Sequence, residues 1–417
     1  MKITTKDGLG IKSATFSELE SLVREHAQAF IQKVMEDEVN EFLGRCKSER
    51  KDQDSASGYR NGYGEERRLS TSIGTVKVRR PRVRGTDEQY VSRMLPLFTR
   101  STSQVGDLLP QLYLHGLASG DFELAMRGLL GDGAPLSPSS IMRLKALWQA
   151  EYEAWKQRPL ADAHVVYAWV DGIYVKAGLE KEKAALLVMI GALSDGRKRV
   201  LAVSSGHRES EEGWSALLRS LKARGMNAPR LVVGDGNLGI WSALANVFPD
   251  SQQQRCWLHR MRNVLDCVGK KKQAQAKEML TKVMYAASLK ECQSAKLIFQ
   301  KWARDQGYNK AADALDRDWE RMVAYYSLPK EHWVHLMTTN IIESPFASVR
   351  LRTAASKRYK KVEGATAMIW KLLMVAEMTF RKLHHFELLK DVAAGVSYKD
   401  GVKSTPNDVP LDYKIAA

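Results

Sequence analysis

Apolar residues recur at helical spacing across residues 17–43, at Leu19, Leu22, Val23, Ala27, Phe30, Ile31, Val34 and Phe42, and predict an amphipathic helix. Residues 47–64 are polar and rich in Gly, Ser and Asp, and read as a loop. Residues 69–78 carry the run Ser-Thr-Ser-Ile-Gly-Thr-Val-Lys-Val, a short strand or hairpin signal. That run leads directly into Lys77, Arg79, Arg80, Arg82 and Arg84, with Pro81 keeping the segment extended. Helical patterns follow at residues 104–117, 121–130 and 139–155, the last with Ser139 or Ser140 as its N-cap. Two helices around a Gly-containing turn, then a capped helix with Arg143 and Lys145, are compatible with a helix-turn-helix unit, although three consecutive helices are more often plain packing.

The period changes at His164. Residues 165–175, 184–193, 199–204 and 230–234 read as strands, with a helix over 211–224 between the third and the fourth. Three strands, a helix and a fourth strand is the order of a ribonuclease H-like core: an antiparallel meander, then a crossover to a parallel strand. Beyond Asp235 the pattern is helical at 238–247, 260–268, 271–287, 289–306 and 309–326, with no strand between. A last helical stretch runs over 343–389, and the tail from Asp391 is polar.

Charge adds a partner to this picture. The 417 residues include 64 Lys and Arg against 48 Asp and Glu, a net charge of +16 with a pI near 9.5. An excess of that size bears on partners, not on fold, and points to nucleic acid, although a well-solvated basic surface gives the same count. The four cysteines are scattered and form no disulfide framework, as expected in a reducing compartment. No apolar run approaches the ~18–20 residues of a membrane span, and the polar start lacks a signal-peptide core. The expectation is a soluble cytoplasmic protein associated with the nucleoid.

Within this frame a few residues carry candidate chemistry. Asp171 interrupts the apolar strand Tyr167-Ala-Trp-Val-Asp-Gly-Ile-Tyr-Val175, and burying a carboxylate is costly unless it is paired or binds metal. Asp235 ends the strand Leu231-Val-Val-Gly-Asp235. Two carboxylates on adjacent strands suit a hard divalent cation, and a third could hold a second ion ~3.5–4 Å away. Glu343, after Thr338-Thr-Asn340, is the candidate third, although taken alone it reads first as a capping acid at a helix start. Its helix leads into six basic residues, Arg350, Arg352, Lys357, Arg358, Lys360 and Lys361. Cys256 and His259 have the spacing of a zinc pair without a second pair to complete it. Trp257, Trp302, Trp319 and Trp333 read as core, or as platforms for a base. The glycines of Gly234-Asp-Gly-Asn-Leu-Gly239 have the wrong spacing for a dinucleotide fingerprint, against a metabolic α/β enzyme.

These strings, in this order, resemble the bacterial Mutator-type insertion-sequence transposases. The resemblance runs from Arg60-Asn-Gly-Tyr63 and Arg80-Pro-Arg82, through Val170-Asp-Gly-Ile-Tyr-Val-Lys176 and Gly234-Asp-Gly-Asn-Leu-Gly239. It continues through Gln254-Arg-Cys-Trp-Leu-His259 to Thr338-Thr-Asn-Ile-Ile-Glu343 and Arg350-Leu-Arg-Thr353. It implies an α/β fold: a ribonuclease H-like catalytic core with a large all-α insertion, after a mostly helical N-terminal DNA-binding region. The implied division is 1–58 helical, 59–100 basic strand and loop, 101–160 helix-turn-helix-like, 161–245 first part of the core, 246–335 insertion, 336–390 final core helices and 391–417 tail. Asp171, Asp235 and Glu343 are then a DDE triad holding two Mg²⁺ or Mn²⁺ ions, with His259 as an auxiliary catalytic residue. Lys77, Arg79, Arg80, Arg82, Arg84, Arg143, Lys145 and the six basic residues of 350–361 are expected on DNA. The expected partners are double-stranded DNA, as element ends and as target, and a second copy in a homodimer. The sequence departs from the family at Pro345, which suits a helix starting at Ser344 and disfavours one starting earlier.

Overall fold

A computed structural model describes residues 16–50, 58–96, 99–117, 125–127, 130, 138–177, 183–206, 210–236, 238–356 and 358–404. The chain divides into two compact units, Met1–Leu144 and Lys145–Ala417.

In the first unit, helix α1 (Phe16–Leu43) backs a two-stranded antiparallel hairpin, β1 (Tyr59–Thr71) and β2 (Gly74–Arg84). Val76 and Val78 of β2 join Leu69, Met35 of α1 and Leu95 in a small core, because alternate strand residues share a face. Gly74, at φ +113°, opens the tight turn between the strands. The hairpin is longer than the sequence pattern predicts and takes in residues 59–64 of the expected loop. These residues carry no apolar alternation, since the strand there is exposed and interrupted by two register shifts. The unit thus combines its helices with a long hairpin. Helix α2 (Ser103–Leu114) follows, and the expected helix over 121–130 lies largely outside the described residues.

The second unit holds a five-stranded mixed sheet. Strands β3 (Val165–Val175), β4 (Ala184–Leu193) and β5 (Lys198–Gly206) form an antiparallel meander, and β6 (Leu231–Gly234) and β7 (Gln252–Arg255) extend it in parallel, in the order β5-β4-β3-β6-β7. Helix α3 (Pro138–Lys156) precedes the sheet and spans the division between the units; α4 (Glu211–Ala223) and α5 (Leu238–Val247) flank β6 along the chain. One face of β3, with Ala168 and Val170, packs with Trp214, Leu218 and Leu221 of α4 and Ile240, Trp241 and Leu244 of α5. β7 contradicts the expectation of no strand after Asp235. Its sequence is Gln-Gln-Gln-Arg, invisible to hydropathy, yet Gln254 is fully buried with its amide satisfied. Its Nε2 donates to the carbonyls of Arg255 and Met322 at 2.8 and 3.0 Å, and its Oε1 accepts the Tyr325 amide at 3.0 Å.

After β7 come α6 (Trp257–Leu265), α7 (Gln273–Met284), α8 (Leu289–Asp305), α9 (Asn309–Asp316), α10 (Trp319–Met322) and α11 (Trp333–Leu336). Asp318, left-handed at φ 56°, breaks the single helix expected over 309–326. Trp257 and Trp333 are core, donating to Met322 O and Leu328 O at 2.8 and 2.9 Å, and Lys296 Nζ lies 4.1 Å over the Trp319 ring. The final helical stretch is two long helices, α12 (Asn340–Ser356) and α13 (Val362–Glu377), and a short one, α14 (Leu389–Ala393). The polar tail is folded as far as a small hairpin, β8 (Tyr398–Lys399) and β9 (Val402–Lys403), whose turn Asp400-Gly401 has both residues at positive φ. Among the described residues, no helix is long and apolar enough to cross a membrane.

Candidate active site

The site begins with the two faces of β3. While Ala168 and Val170 enter the core beneath α4 and α5, Tyr167 and Trp169 point the other way. Tyr167 Oη bonds His332 Nδ1 at 2.9 Å, and Trp169 Nε1 donates to His335 O at 3.0 Å. Asp171 continues this second series, half-buried, with Oδ1 accepting the Gly172 amide at 2.7 Å. The parallel register pairs Trp169 with Val233. Asp171 stands two residues beyond Trp169 within β3, and Asp235 two residues beyond Val233, just past the end of β6 on the neighbouring strand.

Glu343 comes from α12, which packs against β3 and β4. The helix begins at Asn340, so Glu343 lies in its first turn. Thr339 organises this start: its carbonyl accepts the amides of Ile342 and Glu343, both at 3.0 Å, and its hydroxyl donates to Glu343 Oε1 at 2.5 Å. Pro345 therefore sits in the second turn, beyond the first position where proline is favoured. The acid is still held, because Thr339 grips its carboxylate directly.

Cys256 ties the two halves together. Its backbone N–H donates to Gly234 O at 2.8 Å, next to Asp235, and its sulfur accepts Thr339 N–H at 3.4 Å and lies 3.2 Å from Thr339 Oγ1. The following amide, of Trp257, donates to Met337 O at 2.8 Å. Helix α6 then places His259 with Nδ1 3.8 Å from Glu343 Oε1. Potential ligand atoms of Cys256, His259 and Glu343 lie within 4.8 Å of one another. The Cys256 sulfur pushes the His259 pKa up to about 9, against the opposing effect of burial and with help from the carboxylates of Glu343 and Asp235. Burial raises the Cys256 thiol, but His259 and Thr339 outweigh it and bring the pKa below the ordinary thiol value.

A second anchor holds the Asp235 loop. Gly236 has φ +99°, and a Cβ there would lie 2.1 Å from Arg255 Nε. The Arg255 guanidinium passes beneath this glycine and binds Asp318 at 2.5 Å, an acid shared with Arg260 and Arg321, each at 3.1 Å.

The family profile described as "Transposase, Mutator family" matches residues 4–382. The chain belongs to this family. It is 42% identical over 308 residues to the transposase for insertion sequence element IS6120 of Mycolicibacterium smegmatis, covering 73% of this chain and 94% of that protein. It is 37% identical over 295 residues to the transposase for insertion sequence element IST2 of Acidithiobacillus ferrooxidans, covering 70% and 99%. The transposase for insertion sequence element IS256 in transposon Tn4001 of Staphylococcus aureus is 25% identical over 344 residues, covering 82% and 86%.

For this Mutator-family chain the expected basic residues separate by exposure. Lys77, Arg79, Arg82, Arg84, Arg143, Lys145, Arg350, Arg358, Lys360 and Lys361 are exposed, and Arg80 is half-buried. Arg352 is a correction: at 2% exposure it packs inside α12's buried face and is not available to a phosphate. Lys357 lies outside the described residues. Thr339, Arg255 and Asp318 were not singled out from sequence. The signal for Thr339 was its spacing of four from Glu343 at a helix start; Arg255 and Asp318 gave none, since their pairing spans 63 positions.

Proposed function

We propose that this chain is a transposase that binds the terminal inverted repeats of an insertion sequence and cleaves and joins DNA strands. Asp171, Asp235 and Glu343 hold two divalent ions, Mg²⁺ or Mn²⁺. The supporting observation is the approach of three segments: Asp171 within β3, Asp235 just past the end of the neighbouring parallel strand β6, and α12 packed on β3 with Glu343 tied back to β6 through Thr339 and Cys256. The sheet order, a meander extended by two parallel strands, supports a ribonuclease H-like core, and α6 to α11 would be its helical insertion.

The donor set fits hard cations. Three half-buried carboxylates offer oxygen, and the one soft donor nearby, Cys256, already accepts a hydrogen bond from Thr339. Two such ions supply positive charge at the attacking and leaving oxygens of an in-line displacement. Strand β3 carries Asp171, the end of β6 carries Asp235, and the Thr339 hydrogen bond orients Glu343. The water oxygen bonds to phosphorus as its proton passes to solvent, the bond from phosphorus to the 3′ oxygen breaks, and that oxygen takes a proton from solvent to leave a 3′-hydroxyl and a 5′-phosphate. In joining, a DNA 3′-hydroxyl takes the place of water. Exposed Arg350, Arg358, Lys360 and Lys361 would neutralise neighbouring phosphates. Bringing two element ends together calls for a homodimer.

The test is Mg²⁺-dependent cleavage of a labelled duplex of the element's own end. Loss of one ligand costs several kcal/mol at the transition state, so Asp171→Ala should cut about a thousandfold more slowly while binding the same duplex. Unimpaired cutting by Asp171→Ala, Asp235→Ala and Glu343→Ala would refute the assignment. Cleavage without strand-transfer products would reduce the enzyme to a nuclease.

A further inference from the structure

The β1–β2 hairpin is supported on one side and open on the other. Along the outer edge of β2, Gln28 Oε1 accepts Lys77 N–H at 3.1 Å, and Gln32 both accepts Arg79 N–H and donates to Arg79 O at 2.9 Å. Two α1 glutamines one turn apart therefore close the strand edge that would otherwise recruit another chain. The apolar face is sealed against Ile31 and Met35. Farther along, Arg45 donates to Gly58 O at 2.5 Å and Arg60 to Arg45 O at 2.8 Å, fixing the start of β1. Ser70 N–H donates to Arg100 O at 2.9 Å and holds residue 100 beside the ribbon.

The remaining face is exposed and basic. Cross-strand partners Arg68 and Lys77, and Glu66 and Arg79, lie on it; Arg82 and Arg84, also exposed, alternate to the other side of β2 beyond the end of the apolar core. A cleft of about 1100 Å³ adjoins it, lined by Arg67, Arg68, Arg80, Arg82, Arg84 and Arg100 against the acids Glu65, Glu66 and Asp87. Helix α2 carries no Lys or Arg at all.

We propose that this hairpin face is the DNA-reading element of the chain, entering the major groove of double-stranded DNA as a two-stranded ribbon with the flanking phosphates in the arginine-lined cleft. This rests on the reading of the chain as a DNA-acting enzyme and moves sequence recognition from the helices after residue 100 to the hairpin. The dimensions agree. An eleven-residue strand at ~3.3 Å per residue spans about one turn of B-form DNA, and the ~12 Å major groove admits a two-stranded ribbon. The major groove of double-stranded RNA is too deep and narrow for one. Arginine there can pair with guanine through both O6 and N7, whereas lysine presents only a point charge.

The experiment measures binding of the full chain to its element-end duplex in EDTA, so that binding is read without cleavage. Arg79→Ala, Arg82→Ala and Arg84→Ala each remove an exposed charge and should lower the salt dependence of log K by about one phosphate's worth. Arg79→Lys should keep that slope and lose preference for the element end over unrelated duplex. Methylation of guanine N7 at the contacted positions should block wild-type binding. Native-like melting of each variant separates contact loss from misfolding. A triple alanine variant binding with wild-type affinity and slope would overturn the proposal, as would indifference to N7 methylation or equal competition by double-stranded RNA. Failure of the catalytic reading looks different: wild-type protein would bind through the hairpin and cut nothing.

Discussion

Thr339 has one hydroxyl proton and two neighbours that could take it, the Glu343 carboxylate at 2.5 Å and the Cys256 sulfur at 3.2 Å. The carboxylate is the stronger acceptor, so the proton points to Glu343, and the Cys256 sulfur keeps the Thr339 backbone N–H at 3.4 Å. Side chains that orient a metal-binding carboxylate typically contribute 10–100-fold to affinity for the ion. Thr339→Val is therefore expected to raise the Mg²⁺ concentration giving half-maximal cleavage by about tenfold or more, with Thr339→Ser restoring it. A metal titration unchanged in Thr339→Val would remove the role. His335 offers a different test. Burial, then the charges of Lys198, His384 and His332, push its pKa from 6.5 down to about 4. The folded chain keeps this ring neutral while the unfolded chain protonates it, so its contribution is complete above pH 6.5 and is lost as pH falls towards 4. His332 shifts in the same direction, chiefly through burial. Its Nε2 faces the His385 carbonyl at 3.0 Å, which places the proton of the neutral ring there and leaves Nδ1 to accept from Tyr167. Denaturant unfolding at pH 7.5 and 5 should show a smaller acid loss in His335→Gln than in wild type; an equal loss would exclude His335 as a source.

At the scale of elements, the turn from β6 into α5 is where backbone and site meet. Gly236 tolerates φ +99° and lets Arg255 pass within 2.1 Å of the position a Cβ would take. Arg255 cannot swing aside cheaply, because Asp318 holds it. Gly236→Ala is expected to destabilise the fold by about 2 kcal/mol from the backbone conformation alone, with the clash in addition, and to displace Asp235 beside it. Thermal melting and cleavage measured together check this, and an unchanged melting point with full activity would contradict it. Elements were legible in the sequence where packing is periodic. The meander β3 to β5 and its crossover helix α4 announce themselves through apolar runs and a capped amphipathic segment. β7 did not, since its buried side chain is a glutamine whose hydrogen bonds replace hydrophobicity. The first half of β1 did not either, since an exposed, bulged strand has no buried face to record.

For the whole molecule, what local pattern could not supply was convergence. Asp171 stood out alone as a charge in an apolar strand, and Asp235 by its position at a strand end. Glu343 looked like an ordinary capping acid, and it does lie in the first turn of its helix. Only the resemblance joined it to the other two, because it is placed through Thr339, whose partner Cys256 is 83 positions away from that threonine. Pro345 reads as a warning at the level of the helix and proves compatible with the held acid once that contact is known. The same long separation has an outcome during synthesis. A ribosome that stops or slips between codons 235 and 339 releases a polypeptide with the complete basic ribbon and both strand acids but without the residue that fastens the third. On the reading proposed above, such a truncated product could still occupy element ends and would be unable to sever them, so premature termination would make an antagonist of the full-length protein rather than a mere loss of it.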